Sequence, residues 1–511
     1  MAQYSINSLE GKLLLAATVL ASGMAFLDGT VVNIAIPVIQ KTFHASLTQI
    51  EWMVNGYMLM LASLILVSGA LGDLYGRKKI FSYGLVFFTF ASLLCSLSQT
   101  MDQLIAFRVL QGIAAAMMIP GSLSIINSSF AEHDRGKAIG LWSGFAGGVA
   151  ALGPFLGGFL VQTFGWPSIF YINIPLGLLA IYLTSKYVTE AKNEHAKRLD
   201  LYGALFIFLG LLGISFGLIE APSRGWGEPS VWGSLIVGAI MLVAFIFREK
   251  TVKEPLMPLQ IFHSKLVSGA NLITLFLYFS LNAVIFFLVL NLQQLQHFSP
   301  LLAGMSMLPS ILIITFFSGR GGELSDKTGP RLPMIVGPLI VSAGMGLMAL
   351  SGKNINYFTS FMPALILVGL GMCLVIGPLT KSALSVEQRY SGAASGVNNA
   401  IARIAGLLAI ALLGAIILTS FSSHLSSELD KSHLTMSEKQ QISEQKNKLG
   451  AIDIPATFSS ESRREAQEII ENSFLAGFRV IMTFAAFLAF LSSIIAFLTI
   501  QNPSKHKSSG S

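Results

Sequence analysis

Charged residues are scarce in this chain: Asp, Glu, Lys and Arg make up only 12% of its 511 residues. Soluble proteins average about 25% charged residues, so this composition cannot cover a water-exposed surface of the corresponding size. Apolar residues account for 53% of the chain. The net charge of +7 is spread over short polar gaps and forms no dense basic block, which argues against a nucleic-acid-binding protein. The composition therefore predicts a protein whose solvent is lipid.

Cysteine and the common catalytic motifs are equally sparse. The two cysteines, Cys95 and Cys373, lie inside apolar runs and are expected to be small buried hydrophobes. They indicate neither a disulfide framework nor a zinc site. The sequence has no GxxxxGK[ST] phosphate loop, no HExxH motif and no polar segment large enough for a catalytic domain. These absences argue against a membrane enzyme or a nucleotide-driven pump, and no metal or bound cofactor is expected.

Long stretches with almost no charge are abundant instead. A helix needs about 20 apolar residues to cross the hydrocarbon of a bilayer. Ten stretches suit one helix each, and the first of them contains a single charge, Asp28. They are 13–40, 52–72, 80–101, 109–131, 201–219, 229–247, 332–352, 354–380, 404–427 and 480–504.

Two further stretches, 138–185 and 266–319, are long enough for two helices each, with polar breaks near 164–167 and 293–300. Backbone polar groups in lipid must be satisfied within each segment, which favours helices. The predicted fold class is therefore all-α integral membrane, with 14 transmembrane helices.

The basic residues predict the orientation. With the N-terminus inside, the inner segments collect 21 Lys and Arg, whereas the short outer loops hold three. Cytoplasmic loops are enriched in these residues, so both termini are expected in the cytoplasm. The segment of about 421–474, with six basic and nine acidic residues, is predicted to be a long outer loop. Its end, from Ser460 onwards, is expected to be helical, with Ser460 and Ser462 as caps.

A weak internal repeat links two inner loops. Asp73-x-x-Gly76 and Asp326-x-x-Gly329 each precede basic residues, one after span 2 and the other after span 10. Their matched placement predicts two parallel six-helix halves separated by two extra helices, an arrangement found among secondary transporters. The expected domains are 1–190, a linker with helices 7 and 8 at 191–262, and 263–511.

Asp28 is the only carboxylate expected well inside a span. It lies nine residues before Pro37, roughly 14 Å below the outer end of the helix. Charged groups at such depth are costly and usually functional. Arg108 on span 4, six residues after Asp102, lies at a comparable depth and is its natural partner. Because Arg does not deprotonate, it is expected to tune the carboxylate rather than carry a proton itself. The alternative for both residues is a purely structural role.

Span 5 is rich in glycine. Gly140, Gly144 and Gly148 recur at every fourth position, and Gly153-Pro154-x-x-Gly157-Gly158 follows. Small residues at this spacing allow close helix contact, and a proline removes one helical hydrogen bond. This pattern favours a bendable interface over static packing.

Four motifs, in order, resemble those of the 14-span drug:proton antiporters of the major facilitator superfamily, and the resemblance covers nearly the whole chain. They are Asp28-Gly-Thr-Val-Val-Asn33-Ile-Ala-Ile-Pro37, Gly69-x-Leu-x-Asp73-x-x-Gly76-Arg77-Lys78, Leu104-x3-Arg108-x-x-Gln111-Gly112, and Gly144 through Gly158.

The resemblance implies proton-driven efflux by alternating access in a bacterial cytoplasmic membrane. It implies that Asp28 and Arg108 couple protons and that span 5 acts as a hinge. Asp73, Gly76, Arg77 and Lys78 would form a conformational latch at the inner face. For that latch, the plain alternative is that the basic residues only hold the loop inside.

The C-terminal half departs from the pattern of cation exporters in this branch, which often carry additional carboxylates there. Instead, polar side chains are candidates for lining a substrate cavity, although helix–helix hydrogen bonding explains them equally well. These candidates are Asn33, Gln111, Asn282, Asn398, Asn399 and Arg403.

The predicted function is proton-coupled efflux of lipophilic drugs, cationic or neutral, although Arg403 leaves anions open. The alternative is export of an endogenous amphiphile such as a fatty acid, bile salt or siderophore. The expected partners are the small-molecule substrate, protons and lipid. The outer loop could cover the outer mouth, contact another envelope protein or remain a solvated loop.

Overall fold

A computed structural model of the chain describes residues 4–192, 200–353, 355–387 and 390–502. These residues are helical throughout, apart from loops and one isolated bridge between Tyr4 and Phe130. Fourteen of the helical segments are long and apolar enough to cross a membrane. The predicted fold class is confirmed. Lys197, Arg198, Arg389, Lys505 and Lys507, which belong to the predicted basic loops, lie outside the described residues.

The first six spans form one bundle. Their helices are α1 (Leu9–Phe43), α2 (Leu47–Tyr75), α3 (Arg77–Ser96), α4 (Met101–Ser129), α5 (Glu132–Phe164), α6 (Ser168–Tyr171) and α7 (Asn173–Tyr187). The short α6 and α7 together make the sixth span. The break between spans 5 and 6 falls at Gly165, whose φ of 82° is typical of glycine, and this agrees with the predicted break at 164–167.

The remaining spans form a two-helix hairpin and a second bundle. The hairpin consists of α8 (Leu201–Arg224) and α9 (Pro229–Thr251). The helices that follow are α10 (Lys265–Leu290), α11 (Pro300–Ser306), α12 (Leu308–Thr328), α13 (Arg331–Ala349), α14 (Phe361–Ala383), α15 (Ser391–Lys431), α16 (Met436–Ser443) and α17 (Ser460–Thr499). A π-helical turn at Asn291–Leu295 continues α10, and α11 and α12 together make the tenth span.

Two helix boundaries differ from the sequence-based expectation. A capping box of Ser46 and Gln49 starts α2 at Leu47, so Glu51 lies inside the second span, where it is buried. The expectation that Asp28 is the only carboxylate well inside a span is therefore wrong. The cap of α17 is Ser459, whose hydroxyl accepts a hydrogen bond from the backbone of Ser462, so the expected caps Ser460 and Ser462 are also wrong.

The two bundles repeat one local structure. Gly76 ends α2 with a φ of 113°, and Gly329 ends α12 with a φ of 85°. In the first bundle, Glu190, just after the sixth span, accepts hydrogen bonds from the backbone of Lys78 and Lys79. In the second, Asn502 follows the last span and accepts one from the backbone of Arg331. The matched pair of Asp-x-x-Gly loops is thus matched in three dimensions.

Because the number of spans is even, α1 begins and α17 ends on one side of the molecule, here called the terminal face; the other side is the distal face. Towards the distal face α5 approaches α11 so closely that a Cβ at Gly304 would overlap the backbone of Pro154. Towards the terminal face, Gly144 and Gly148 have no neighbour within 4 Å of such a Cβ. Along this flank the bundles touch distally and part towards the terminal face.

The other flank is bridged by the hairpin. Ile207 and Leu211 of α8 share an apolar cluster with Leu59 and Ala62 of α2 and Leu407 of α15. The α8 helix therefore covers the line along which α2 and α15 meet, here called the α2–α15 seam.

Residues 432–459, here called the distal segment, close over the distal ends of α1 and α15. Leu434, Ile442 and Leu449 are buried in the main apolar core, and Gln40 of α1 donates a hydrogen bond to the Lys448 carbonyl at 3.1 Å. The predicted outer loop is therefore shorter than 421–474, because α15 runs to Lys431, and it is packed rather than loosely solvated. At its capping box, hydrogen bonds from Thr435 lower the pKa of the Glu438 carboxyl.

The hairpin depends on close backbone contact between α8 and α9. A Cβ at Gly238 would lie 2.7 Å from the Ile214 nitrogen, whereas one at Gly233 of the same helix meets nothing within 4 Å. Gly238→Val should therefore lower the thermal unfolding temperature in detergent, by overpacking worth about 1–3 kcal/mol. Gly233→Val is the matched control and should cost much less; equal losses in both variants would contradict this packing.

Candidate functional site: a buried charge pair between α1 and α4

Asp28 and Arg108 form an ion pair inside the first bundle. Arg108 donates to the Asp28 carboxylate through Nη1, and the side chains are 0% and 1% exposed. The α1–α4 contact is fixed nearer the terminal face, where Ser22 donates to Ser122 at 2.9 Å. The two side chains that the sequence suggests as partners are thus in contact in the structure. Their role in proton transfer is a proposal, developed below.

Gln111 joins both members of the pair. Its amide oxygen accepts from Arg108 Nη1 at 2.6 Å, and its amide nitrogen donates to Asp28 Oδ1 at 3.0 Å. The same nitrogen donates to Ser92 Oγ of α3 at 2.7 Å, and Ser92 accepts from Asn173 of α7 at 3.1 Å. Four helices therefore hold the pair through one connected network, here called the Asp28 network.

Aromatic rings close the network towards the rest of the protein. The Arg108 guanidinium lies 4.2 Å from the ring centroid of Tyr57 and 5.8 Å from that of Phe170. Stacking a cation over an aromatic ring is favourable, most of all where water is excluded. Tyr57 itself donates to the Ala25 carbonyl at 3.3 Å, which ties α2 to α1. Arg108 is thereby held from three sides, while its Nε has no hydrogen-bond partner among the described residues.

The sequence did not single out Tyr57, Ser92, Asn173 or Phe170. Each is an ordinary residue inside an apolar stretch, with no spacing that sets it apart. Only the depth of Ser92, roughly matching that of Arg108 on the next span, could have indicated it.

The other predicted cavity residues mostly bond within their own bundle. Asn33 donates to the Gly29 carbonyl of α1 at 3.2 Å, and Asn282 to the Tyr278 carbonyl of α10 at 2.7 Å. Asn398 donates to Asn271 at 3.1 Å and to Thr274 at 2.9 Å. Only the two hydrogen bonds of Asn398 join two helices, α15 and α10, as in the helix–helix alternative; those of Asn33 and Asn282 stay within their own helices. Asn399 is exposed and donates to the Ser395 carbonyl.

Arg403 is different because it reaches across to the first bundle. Its guanidinium lies 5.4 Å from the ring centroid of Phe26 on α1. No carboxylate among the described residues forms an ion pair with it. It is half-buried, so a cation without an acidic partner borders the region between the bundles.

The predicted latch residues lie on the terminal face. Arg77 donates to Asp73 at 2.9 Å and to the Ser124 carbonyl of α4 at 3.4 Å. Lys78 Nζ donates to the Ser185 carbonyl of α7 at 2.9 Å. Glu190, which the sequence did not indicate, receives the backbone N–H groups that follow Gly76. All these contacts stay within the first bundle, so in this conformation the latch residues hold α2, α3, α4 and α7 together.

The glycine motif of α5 has two unlike halves. Gly153 and Gly157 press against Thr30 and Val31 of α1, and Gly158 against Pro300 and Leu301. Pro154 is buried within the continuous helix. Gly144 and Gly148, by contrast, have open space beside them. The distal half of the motif packs tightly against α1 of its own bundle and, through Gly158, against α11 of the second bundle, and the terminal half borders the gap.

Two six-span bundles that repeat one local structure, a two-helix hairpin between them and a buried charge pair inside the first bundle are typical of a multi-span membrane transporter of the two-bundle type. The family model of the major facilitator superfamily matches residues 18–410, so the chain belongs to that superfamily. Relatives along most of the chain carry names of drug resistance and export.

The tetracenomycin C resistance and export protein of Streptomyces glaucescens is 30% identical over 93% of this chain and 89% of its own length. The multidrug resistance protein Stp of Mycobacterium tuberculosis is 32% identical, covering 82% of this chain and 78% of its own. The puromycin resistance protein of Streptomyces alboniger is 35% identical, covering 77% and 79%.

Solved structures share the fold. A bacterial homologue of the human lysosomal transporter Spinster, in an inward-facing and unoccupied conformation, superposes with a TM-score of 0.65 at 19% identity, covering 98% of this chain and all of its own. The xylose transporter XylE of E. coli gives a TM-score of 0.57 at 13% identity, covering 97% and 98%.

The two halves of the α5 motif predict different responses to the same substitution. Gly158→Ala places a Cβ about 2.5 Å from the Pro300 carbonyl, so it should separate α5 from α11 and lower both transport and thermal stability. Gly148→Ala meets no neighbour and should raise helix stability by up to about 1 kcal/mol with transport retained. Loss of transport in Gly148→Ala at normal stability would instead show that bending at this glycine is required.

Proposed function

We propose that the protein exports lipophilic small molecules, drugs among them, across the bacterial cytoplasmic membrane in exchange for protons, with the terminal face in the cytoplasm. The observation that carries the proposal is the Asp28–Arg108 pair, a titratable carboxylate buried at membrane depth with a permanent cation bound to it. The names of the relatives support drugs as substrates over an endogenous amphiphile. The excess of basic residues in the terminal-face loops supports the orientation.

The geometry suggests how a proton acts. Both oxygens of Asp28 are engaged, one by Arg108 and the other by Gln111. Protonation of the carboxyl removes the charge that holds the guanidinium, while Gln111 and the Tyr57 ring still support Arg108. Because the network joins α1, α3, α4 and α7, a change at Asp28 alters how these helices pack. Such a two-state element is what alternating access needs.

The substrate proposal follows from which buried charged side chains lack a partner of opposite sign. The charge of Asp28 is already neutralised by Arg108, so Asp28 does not attract a cationic substrate. Arg403 has no acidic partner among the described residues and lies beside Phe26. This electrostatic arrangement favours neutral substrates and lipophilic acids over cations, and it refines the sequence-based expectation of cationic or neutral drugs.

Asp28→Asn should abolish proton-driven transport, because the amide cannot carry the proton. Removing one partner of a buried ion pair also costs about 3–5 kcal/mol, so the unfolding temperature should fall. Transport of a fluorescent lipophilic dye into everted vesicles, with and without a protonophore, measures coupling. Asp28→Glu keeps a titratable carboxylate and should retain part of the proton coupling.

The matched control is Asp102→Asn, which neutralises an exposed carboxylate at the distal start of α4 and should leave transport intact. Dye transport by wild-type protein that persists after full collapse of the proton gradient would contradict the proposed function. So would normal coupling in Asp28→Asn.

Arg403→Gln should weaken transport of acidic dyes by about tenfold, the effect of losing roughly 1.4 kcal/mol of attraction, and should leave neutral dyes of the same skeleton nearly unchanged. Arg403→Lys should retain most of the preference because the charge stays. Concentration dependence of uptake in everted vesicles measures this. Equal losses for acidic and neutral dyes would assign Arg403 a structural role.

A further inference from the structure

The distal half of the α2–α15 seam buries polar atoms that have no partner. Thr48, Glu51 and Asn55 follow one another at spacings of three and four residues, so they share one face of α2. All three are buried, Glu51 with only 2% of its surface exposed. Among the described residues, the Thr48 hydroxyl, Glu51 Oε1 and both polar atoms of the Asn55 amide have no hydrogen-bond partner.

The carboxyl of Glu51 points at the second bundle. A Cβ at Gly414 of α15 would overlap Glu51 Oε1, so the absence of a side chain at Gly414 makes room for the carboxyl. The two bundles meet at this point, and Glu51 lies between them rather than inside either one.

The third neighbour, α8, offers Glu51 no counter-charge. Glu220 of α8 is close enough to interact with Glu51, and it has the same sign. Its own oxygens are occupied, one by Trp52 Nε1 at 2.9 Å and the other by Arg224 at 2.8 Å.

Cations on the other packed elements are also engaged or remote. Arg108 of α4 is bound to Asp28, and Arg403 lies eleven residues before Gly414 on α15, roughly 16 Å along the helix. Lys448, in the distal segment that touches α2, binds Gln445 and Asp453. A charged carboxylate without a partner is very costly in such surroundings, so with the seam closed Glu51 holds a proton.

The terminal half of the same seam is apolar. Leu59 and Ala62 of α2 pack with Leu407 of α15, and Leu66 lies against Gly396. Water that enters the distal half would gain hydrogen bonds to Thr48, Glu51 and Asn55, whereas Leu59, Ala62 and Leu407 offer it none. The seam is therefore built to open from the distal side.

We propose that Glu51 is a second proton-binding group, which takes up a proton from water on the distal side when the distal half of the α2–α15 seam opens and must keep it while the seam is closed. The inference rests on the proposed transport function and deepens it. The step is a proton transfer from hydronium to the Glu51 carboxylate, with water as the other product. The distal half of the α2–α15 seam can therefore close only after Glu51 has bound a proton from the outside.

The sign of the pH dependence follows directly. The closed seam holds the proton more tightly than the open, hydrated seam, where Glu51 exchanges it with water, so low pH favours closure and rising pH favours opening. Thr48→Cys reports the state of the seam, because Thr48 is buried in the closed form. A membrane-impermeant maleimide is applied to cells from outside. Labelling is normalised to Thr42→Cys, because Thr42 is an exposed residue on the distal face of the protein. Protein that carries only its native cysteines gives the background.

Normalised labelling of Thr48→Cys should rise as the external pH is raised, by up to about tenfold per pH unit near the transition, and should change by less than about twofold when Glu51→Gln is added. Glu51→Asp keeps a titratable group and should keep the rise. Glu228→Gln neutralises an exposed carboxylate on the same face and should behave as wild type. A melting temperature of Glu51→Gln near that of wild type shows that the variant is folded.

A pH-independent signal with Glu51 present, or an equal rise in Glu51→Gln, would overturn the inference. Dye transport in everted vesicles from the same cells separates this failure from that of the proposed function. Absence of proton coupling in the wild-type protein defeats the proposed function. Full coupling in both wild type and Glu51→Gln defeats only the assignment of Glu51.

Discussion

The charge pair of Asp28 and Arg108 is the interaction around which the first bundle is organised. Moving two charges from water into a region of low dielectric constant is costly, and their mutual attraction offsets that cost only with good geometry and additional hydrogen bonds. Gln111, Ser92 and Asn173 supply those bonds. The network consequently constrains the positions of α1, α3, α4 and α7 at once.

A network of this kind makes the bundle sensitive to a single proton. Buried polar networks stabilise strongly when every member is satisfied and weaken as a unit when one member changes. The starting point is the opposite at the α2–α15 seam, since among the described residues Glu51 Oε1 and both polar atoms of the Asn55 amide have no hydrogen-bond partner when the seam is closed. The Asp28 network therefore favours a packed bundle, and the unpartnered polar atoms of the α2–α15 seam favour an opened interface.

The number of spans could be predicted from the sequence because lipid imposes a minimum apolar length on every helix. The pairing of Asp28 with Arg108 could also be anticipated, since depth along each helix follows from counting residues. Helix ends were less accessible. Charge-free length missed Glu51, because the capping box at Ser46 starts α2 one turn before the apolar run does.

Contacts between distant elements lay beyond the sequence. Nothing in the local pattern of Glu190 shows that it binds the backbone after Gly76, or that Gly414 makes room for a carboxyl from α2. The inner-loop and glycine motifs indicated where function resides. They did not show that the glycines of α5 divide into a packed half and an open half.

The hairpin of α8 and α9 has a mechanical consequence. It joins the bundles along the flank where α8 contacts both α2 and α15, and within the part of the chain that the structure describes the flank of α5, α11 and α12 has no comparable helix across it. The hairpin of α8 and α9 thus ties α2 to α15 where Ile207 and Leu211 pack against Leu59 and Leu407, so any opening along this flank is expected on the distal side of that apolar cluster.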